Sequence, residues 1–451
     1  MRTLIRGGRL SLGDRIEASD VLLDGRRIAA IGQNLGAADR VVDASGCYVL
    51  PGFIDFHTHV GDCIGTFELA DDYESGTRIG IMNGITTLCT FVTQGSRGSQ
   101  ETLRQALLRA QAHAKGHCHS DVAWHLTPTT FEPEDWEDLE RLIQAGYRTL
   151  KFYTTYKNAG LFTDQARLEE LFQRLGPAGA RFLVHCEDDE LMASVDTSTL
   201  DLSRASSHAR LRPEAAEART VAALIDLAAR CKVPLHVVHV STNAAAHRIR
   251  EAHNHQDLTS ETCPQYLWLD ETWLDRSDGH RWICSPPLRN ERPQFRELAR
   301  EGVFDLIATD HCAFCCTDKD AWDQLDIRTV ANGLGGLGGL AHLAWKLWED
   351  DPDRAARELT LRLALNPAAR LGMANRKGAL RPGLDADVVV LDPSGPSQPI
   401  RSSLADTYEA YPGFASTLAF RHVFLGGESV VEAGELTNVD RPLGLALQGP
   451  A

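Results

Sequence analysis

Between residues 51 and about 311, short apolar runs alternate with longer segments in which apolar residues recur at helical spacing. The short runs are GFIDFHTH, TTLCTFV, DVAWHLT, TLKFYT, RFLVHCE, PLHVVHV, LTSETC and DLIATDH. Most are followed by a helical pattern such as SQETLRQALLRAQAHAKG or PEAAEARTVAALIDLAARC. Eight strands separated by helices predict an α/β fold, a (β/α)8 TIM-type barrel. The chain ends read differently. TLIRGGRLSLGDRIEASDVLLDGRRIAAIG is a series of short β segments with a tight DGRR turn, and GLDADVVVLDP and RHVFLGGESVVEAGEL repeat that style. Both ends are expected to form one small β-sandwich domain, residues 1–50 with 375–451, bracketing a catalytic barrel at 51–374.

Alternation along the first barrel strand gives its polar residues a direction. Phe53, Asp55, His57 and His59 should share one face, and Ile54, Phe56, Thr58 and Val60 the other. The apolar set should pack beneath helices, so the polar set should face the barrel interior, at the C-terminal mouth where such folds place their chemistry. Other strands also finish in ligand residues: RFLVHCE in His185, PLHVVHV in His239 and DLIATDH in Asp310. One such histidine is ordinarily a hydrogen-bonded core residue. Four histidines and an aspartate at strand ends point to metal, and imidazole with carboxylate suits zinc, manganese, iron or cobalt. Lys151 in TLKFYTTY lies at the same level. A strand lysine usually snorkels to solvent, but a buried one can lose its proton and react as an amine, and here the surrounding ligand residues favour that reading.

Composition narrows the class. A chain of 451 residues is long for one domain, and a net charge of −16 with no dense basic cluster argues against nucleic acid as a partner. No apolar run approaches the ~18 residues of a membrane span, and the first residues do not read as a signal peptide, so a cytoplasmic location is expected. Eleven cysteines, odd in number and irregular in spacing, read as reduced thiols. Cys312, Cys315 and Cys316 are clustered, but only His311 adjoins them and no second CxxC follows, which weighs against a structural zinc.

The motifs PGFIDFHTH, KFYTTY, VHCED, SETCPQYLWLD, SPPLR, TDHCAF and RKGALRPGLDADVVVLDP together resemble the dihydropyrimidinase/hydantoinase family of the amidohydrolase superfamily, over nearly the whole chain. HxH alone marks only the superfamily; SETCPxYL, SPPLR and TDHCxF are far more specific. The resemblance implies two divalent metal ions, zinc first, with manganese, cobalt or iron as alternatives. His57, His59 and Asp310 would bind the more buried ion, His185 and His239 the more exposed one, and a CO2-derived carbamate on Lys151 would bridge them. It further implies that Asp310 is the general base, that Tyr156 polarises the substrate carbonyl, and that Ser285 and Asn332 hold the ring amide. Cys63, Ile64, Phe67, Phe152 and Tyr153 are expected to shape the pocket for the ring substituent.

The implied reaction is hydrolytic opening of a cyclic amide or ureide, a dihydropyrimidine or hydantoin, to an N-carbamoyl amino acid. The implied assembly is a homotetramer or dimer. Allantoinase, cyclic imidase and dihydroorotase are the neighbouring activities; a dihydropyrimidinase-related scaffold without catalysis is disfavoured because every ligand position is filled. Asp188 stands where asparagine is usual, Gln265 where histidine is common and Ala331 where proline is typical. None is a metal ligand, so these departures bear on substrate preference.

Overall fold

A computed structural model describes residues 1–64, 67–95, 100–253, 255–290 and 292–447 of the chain. Eight parallel strands run in sequence order around a barrel: β1 (Phe53–Thr58), β2 (Ile85–Thr93), β3 (Asp121–Thr127), β4 (Thr149–Tyr153), β5 (Arg181–His185), β6 (Leu235–Val237), β7 (Leu258–Thr262) and β8 (Leu306–Ile307). The ring closes where His311, beyond β8, pairs in parallel with Thr58, and the His59 N–H donates to the His311 carbonyl at 2.7 Å. The expected helices are present. Leu103–Ala114 starts at a capping box of Thr102 and Gln105, and Glu214–Cys231 follows Pro213.

Side chains from opposite strands can meet only inside the barrel. Ile54, Phe56, Cys89, Phe91, Ala123, Leu183, Val238 and Leu306 do so, in one buried cluster closed by Leu371, Met373 and Leu447. This corrects the expected face of β1: Ile54 and Phe56 line the interior, whereas Phe53 packs outward beside Gly84 and Phe420. The physical reason is a shift of register between Asp55 and Thr58. Asp55 turns towards β8, accepting from Thr309 N–H at 3.1 Å, Thr309 Oγ1 at 2.6 Å and His57 N–H at 3.3 Å. The irregularity lets Phe56 and His57 both contact the interior ring of Phe91 or its neighbour His125.

Strands from both termini join in one continuous, mostly antiparallel nine-stranded sheet. Tyr48–Pro51 pairs with Val388–Asp392, and Arg2–Ser11 pairs with Arg40–Asp43 along one half and with Tyr48 and Val49 along the other. The sheet curls around its own core of Ile5, Val21, Val49, Val388, Val390 and Phe424. Tyr48–Pro51 leads straight into β1 through Gly52, where a Cβ would lie 2.2 Å from Thr86 Oγ1 of β2. Glycine is therefore required by close approach, which accounts for the Pro-Gly before the HxH. The segment 443–447 leaves the sheet and runs under the barrel, Leu447 N–H donating to Val122 at 2.7 Å.

Sheet and barrel are also joined by charge. Lys377 is buried, its Nζ 2.7 Å from Asp121 Oδ2 of β3 and hydrogen-bonded to Asp387 beside the Val388 strand. Removing the cation would strand buried carboxylates on both sides of the junction. Lys377→Met should lower unfolding free energy by about 3–5 kcal/mol, read as a lower urea midpoint; a midpoint equal to wild type would contradict this role.

Candidate metal centre and cavity

Five strands deliver the six predicted ligands to one mouth. Lys151 and His185 follow simple alternation: Leu150 and Phe152, then Phe182 and Val184, pack outward under helices, while Lys151, Leu183 and His185 point in. His239 does not. Val238 already faces the interior, and His239 joins it because its backbone takes φ +38°. Asp310 likewise has φ +49°. Left-handed conformations at residues bearing side chains are uncommon, and they concentrate where surrounding structure holds a functional group in place.

The donor atoms of His57, His59 and Asp310 all lie within 4.8 Å of one another, the sole such group of three among the described residues. Asp310 Oδ1 stands 3.1 Å from His57 Nε2 and 3.3 Å from His59 Nε2. Nearby, His185 Nδ1 faces His239 Nε2 at 2.9 Å. Buried carboxylates orient two of these rings. Glu261 on β7 accepts from His57 Nδ1 and sits 3.2 Å from His236 Nε2; Glu187 accepts from His185 Nε2 at 2.6 Å and from Arg212 Nε at 3.0 Å. His57 and His185 thus each have one nitrogen committed to a carboxylate and the other turned to the cavity.

These residues fit divalent cations. His57 Nε2, the ring nitrogen turned to Asp310, is buried and makes no hydrogen bond, an expensive arrangement for a group that could otherwise be solvated. The electrostatics agree. Burial pushes His59 down to about 4, and it also holds His185 and His239 below the usual imidazole range. At His57, burial and Lys151 oppose protonation, but Glu261 and Asp310 outweigh them and raise it. Burial would raise Asp310, yet His57 and His59 hold it well below the carboxylate range. The mouth therefore offers neutral imidazoles at His59, His185 and His239 and an ionised carboxylate at Asp310, the forms that bind metal, while a cation at His57 would displace the proton that Glu261 and Asp310 favour there.

Lys151 is 1% exposed and has no carboxylate within ion-pair distance among the described residues. Its Nζ lies 5.0 Å from the ring centre of Phe91, which also touches His57 and His59, and 4.9 Å from that of Tyr153, which touches His185. It is placed between the two ligand groups. Burial brings it down to about 8, so a free amine is accessible near neutral pH.

The ligands open into a cavity of about 450 Å³ that Tyr153, Tyr156, Ser285 and Asn332 also line. Asn332 Nδ2 donates to Ser285 Oγ at 2.6 Å. Tyr156 has φ +68°, with its ring 5.2 Å from that of His185 and the Arg212 guanidinium 5.2 Å from its centre; burial pushes its phenol up to about 12. Two pocket expectations are corrected. Phe152 alternates away from Lys151 and packs against Phe182 in the helix-facing core, and Phe67 sits edge-on to Phe314 in a small cluster with Leu69 and Ala331. The side chains of Cys63 and Ile64 lie outside the described residues. Residues not anticipated include the cavity-lining Gln94, Leu161, Cys284, Cys312 and Leu334, and the orienting Glu187, Glu261 and Arg212. Inward alternation on β7 from Thr259 to Glu261 was the available signal for one of them.

Residues 48–430 match the Amidohydrolase family. The chain belongs to that family. It is 32% identical to D-phenylhydantoinase of Escherichia coli strain SE11, over 97% of this chain and 96% of that protein. Its fold is similar to a dihydropyrimidinase from Brevibacillus agri NCHU1002, with a TM-score of 0.92 at 28% identity, covering 99% of this chain and 98% of the other. A D-hydantoinase from Bacillus sp. AR9 gives 0.90 at 28% identity, with the same coverage. The fold is thus shared with these proteins, and the carboxylates behind the imidazoles can be tested directly in this amidohydrolase. Glu261→Gln should weaken metal binding by roughly 10–100-fold in a competition titration against a chromophoric chelator; unaltered affinity would show that His57 needs no such support.

Proposed function

We propose that this chain is a binuclear metal-dependent cyclic amidohydrolase that opens dihydropyrimidine or hydantoin rings to N-carbamoyl amino acids. The observation that carries this reading is the position of Lys151, buried between a His57–His59–Asp310 group and a His185–His239 pair at the barrel mouth. In the deprotonated form its amine could add to the carbon of CO2 with release of one proton, and the resulting anionic carbamate would supply two further oxygen ligands to the metal centre that His57, His59, His185, His239 and Asp310 would hold. The names of the similar hydantoinases and dihydropyrimidinase support the reaction class. The reading includes zinc at both positions, a homotetrameric or dimeric assembly, a catalytic region at 51–374 and a cytoplasmic location. No helix among the described residues is long and apolar enough to cross a membrane.

A ring amide is resonance-stabilised and water is a weak nucleophile, so both require activation. Bound divalent ions would acidify water and polarise the carbonyl. The protein's own groups do the rest. Asp310, ionised at the edge of the cavity, accepts the proton of the attacking water as oxygen bonds to the carbonyl carbon. Tyr156, whose phenol stays protonated at neutral pH, donates a hydrogen bond to the carbonyl oxygen as negative charge gathers there. When the C–N bond breaks, Asp310 returns the proton to the ring nitrogen, giving a carboxylic acid that ionises and an N-carbamoyl amine. Ser285 and Asn332, joined to each other on the cavity wall, hold the ring amide in register with these groups.

Purified protein loaded with zinc or manganese should open dihydrouracil or hydantoin in preference to allantoin, dihydroorotate and succinimide, and should lose the activity to a chelator. Activity that survives complete metal removal would eliminate this chemistry. Asp310→Asn should reduce kcat by roughly 10²–10⁴-fold, and a variant that retains metal while turning over at the wild-type rate would remove Asp310 from the role of base.

A further inference from the structure

Tyr156 stands at the apex of the loop after β4 in a conformation that side-chain-bearing residues avoid, and such a conformation persists where its surroundings over-determine it. Its flanks are fixed to the segment after β5. Thr154 Oγ1 is 2.9 Å from the His185 and Glu187 carbonyls and accepts the Glu187 N–H at 3.0 Å. The next contacts converge on one side chain. Thr155 Oγ1 donates to Asp189 Oδ1 at 3.0 Å, and Lys157 Nζ lies 3.1 Å from Asp189 Oδ2. A single carboxylate therefore grips the residues on both sides of Tyr156.

Asp189 is free for this task because Asp188 caps the helix Asp189–Ala193, accepting from Leu191 N–H at 3.0 Å. The two arms are unequal. Lys157 is about half exposed, and exposed ion pairs contribute little. Thr155 is buried, so its hydroxyl depends on the Asp189 oxygen. The same segment carries His185 and Glu187, so the clamp sets the distance between the Tyr156 phenol and the second ligand group.

We propose that Asp189 is a positioning residue for Tyr156, holding its phenol where the substrate oxyanion develops; the catalytic part of this rests on the function proposed above. The contact matters in the transition state, so loss of the clamp should lower kcat and spare KM. A displacement of order 1 Å at a catalytic group can cost up to about 100-fold, and a loosened rather than deleted group should cost about 10–30-fold.

The test compares metal-loaded wild type, Asp189→Ala, Asp189→Asn, Tyr156→Phe and the double variant Asp189→Ala/Tyr156→Phe. Asp189→Ala should lose about 10–30-fold in kcat with KM changed by less than about twofold and metal content unchanged. Asp189→Asn, which keeps an acceptor for Thr155, should lose less. In the Tyr156→Phe background the Asp189→Ala loss should shrink to about twofold or less, because its target is gone. Hydrogen exchange should accelerate in peptides covering 154–161 and stay constant in the barrel strands. An equal Asp189→Ala loss in both backgrounds, or unchanged exchange at 154–161, would overturn the proposal. Should wild-type protein open no ring, the functional reading fails alone, since exchange still decides whether Asp189 holds the loop.

Discussion

A buried imidazole has two nitrogens and can offer only one of them to a cation, and in this protein buried carboxylates settle which. Glu261 takes His57 Nδ1 and Glu187 takes His185 Nε2, leaving the opposite nitrogens aimed at the cavity. Most of the site follows from that constraint. Glu261 also reaches His236, and Glu187 also binds Arg212, whose guanidinium lies under Tyr156. The carboxylates that orient the candidate ligands are thereby tied to the barrel interior on one side and to the wall of the cavity on the other. Their charge has a second effect, because it raises the negative potential in which a divalent ion would sit.

The second theme is departure from regular strand geometry at the places where chemistry is needed. The register shift at Asp55–Thr58 turns His57 inward directly after Phe56; the left-handed backbone at His239 does the same after Val238; Asp310 and Tyr156 share that backbone class. Regular strands build the barrel, and local irregularities bring adjacent residues to one face. Two of these irregularities have side-chain contacts beside them, Asp55 with Thr309 and Asp189 with Thr155.

This explains what could be read from the sequence. Barrel strands are legible because they are apolar runs, most of them followed by a helical pattern, and the candidate ligands stand out because His57, His59, His185, His239 and Asp310 all fall towards the ends of those runs. The direction of the HxH came out as expected, but strict alternation was the wrong reason: it placed Phe53 inside and Ile54 and Phe56 outside, and the structure reverses all three. A bulge leaves no sign in polarity when the residues around it are all buried. Phe152 was misplaced by adjacency to Lys151, although alternation on β4 turns it away. Glu187 and Arg212 were hidden for another cause, since their meeting depends on a loop path that periodicity does not encode.

The central claim is that Lys151 joins two ligand groups into one binuclear centre by carrying CO2. Protein reconstituted with zinc and 13C-labelled bicarbonate provides the direct measurement, combining 13C NMR with metal analysis of wild type and Lys151→Ala. A carbamate carbon signal and two metals per chain in the wild type, with the signal gone and no more than one metal held by the variant, is the predicted result. Two tightly bound metals in active protein that shows an unmodified Lys151 amine would contradict it.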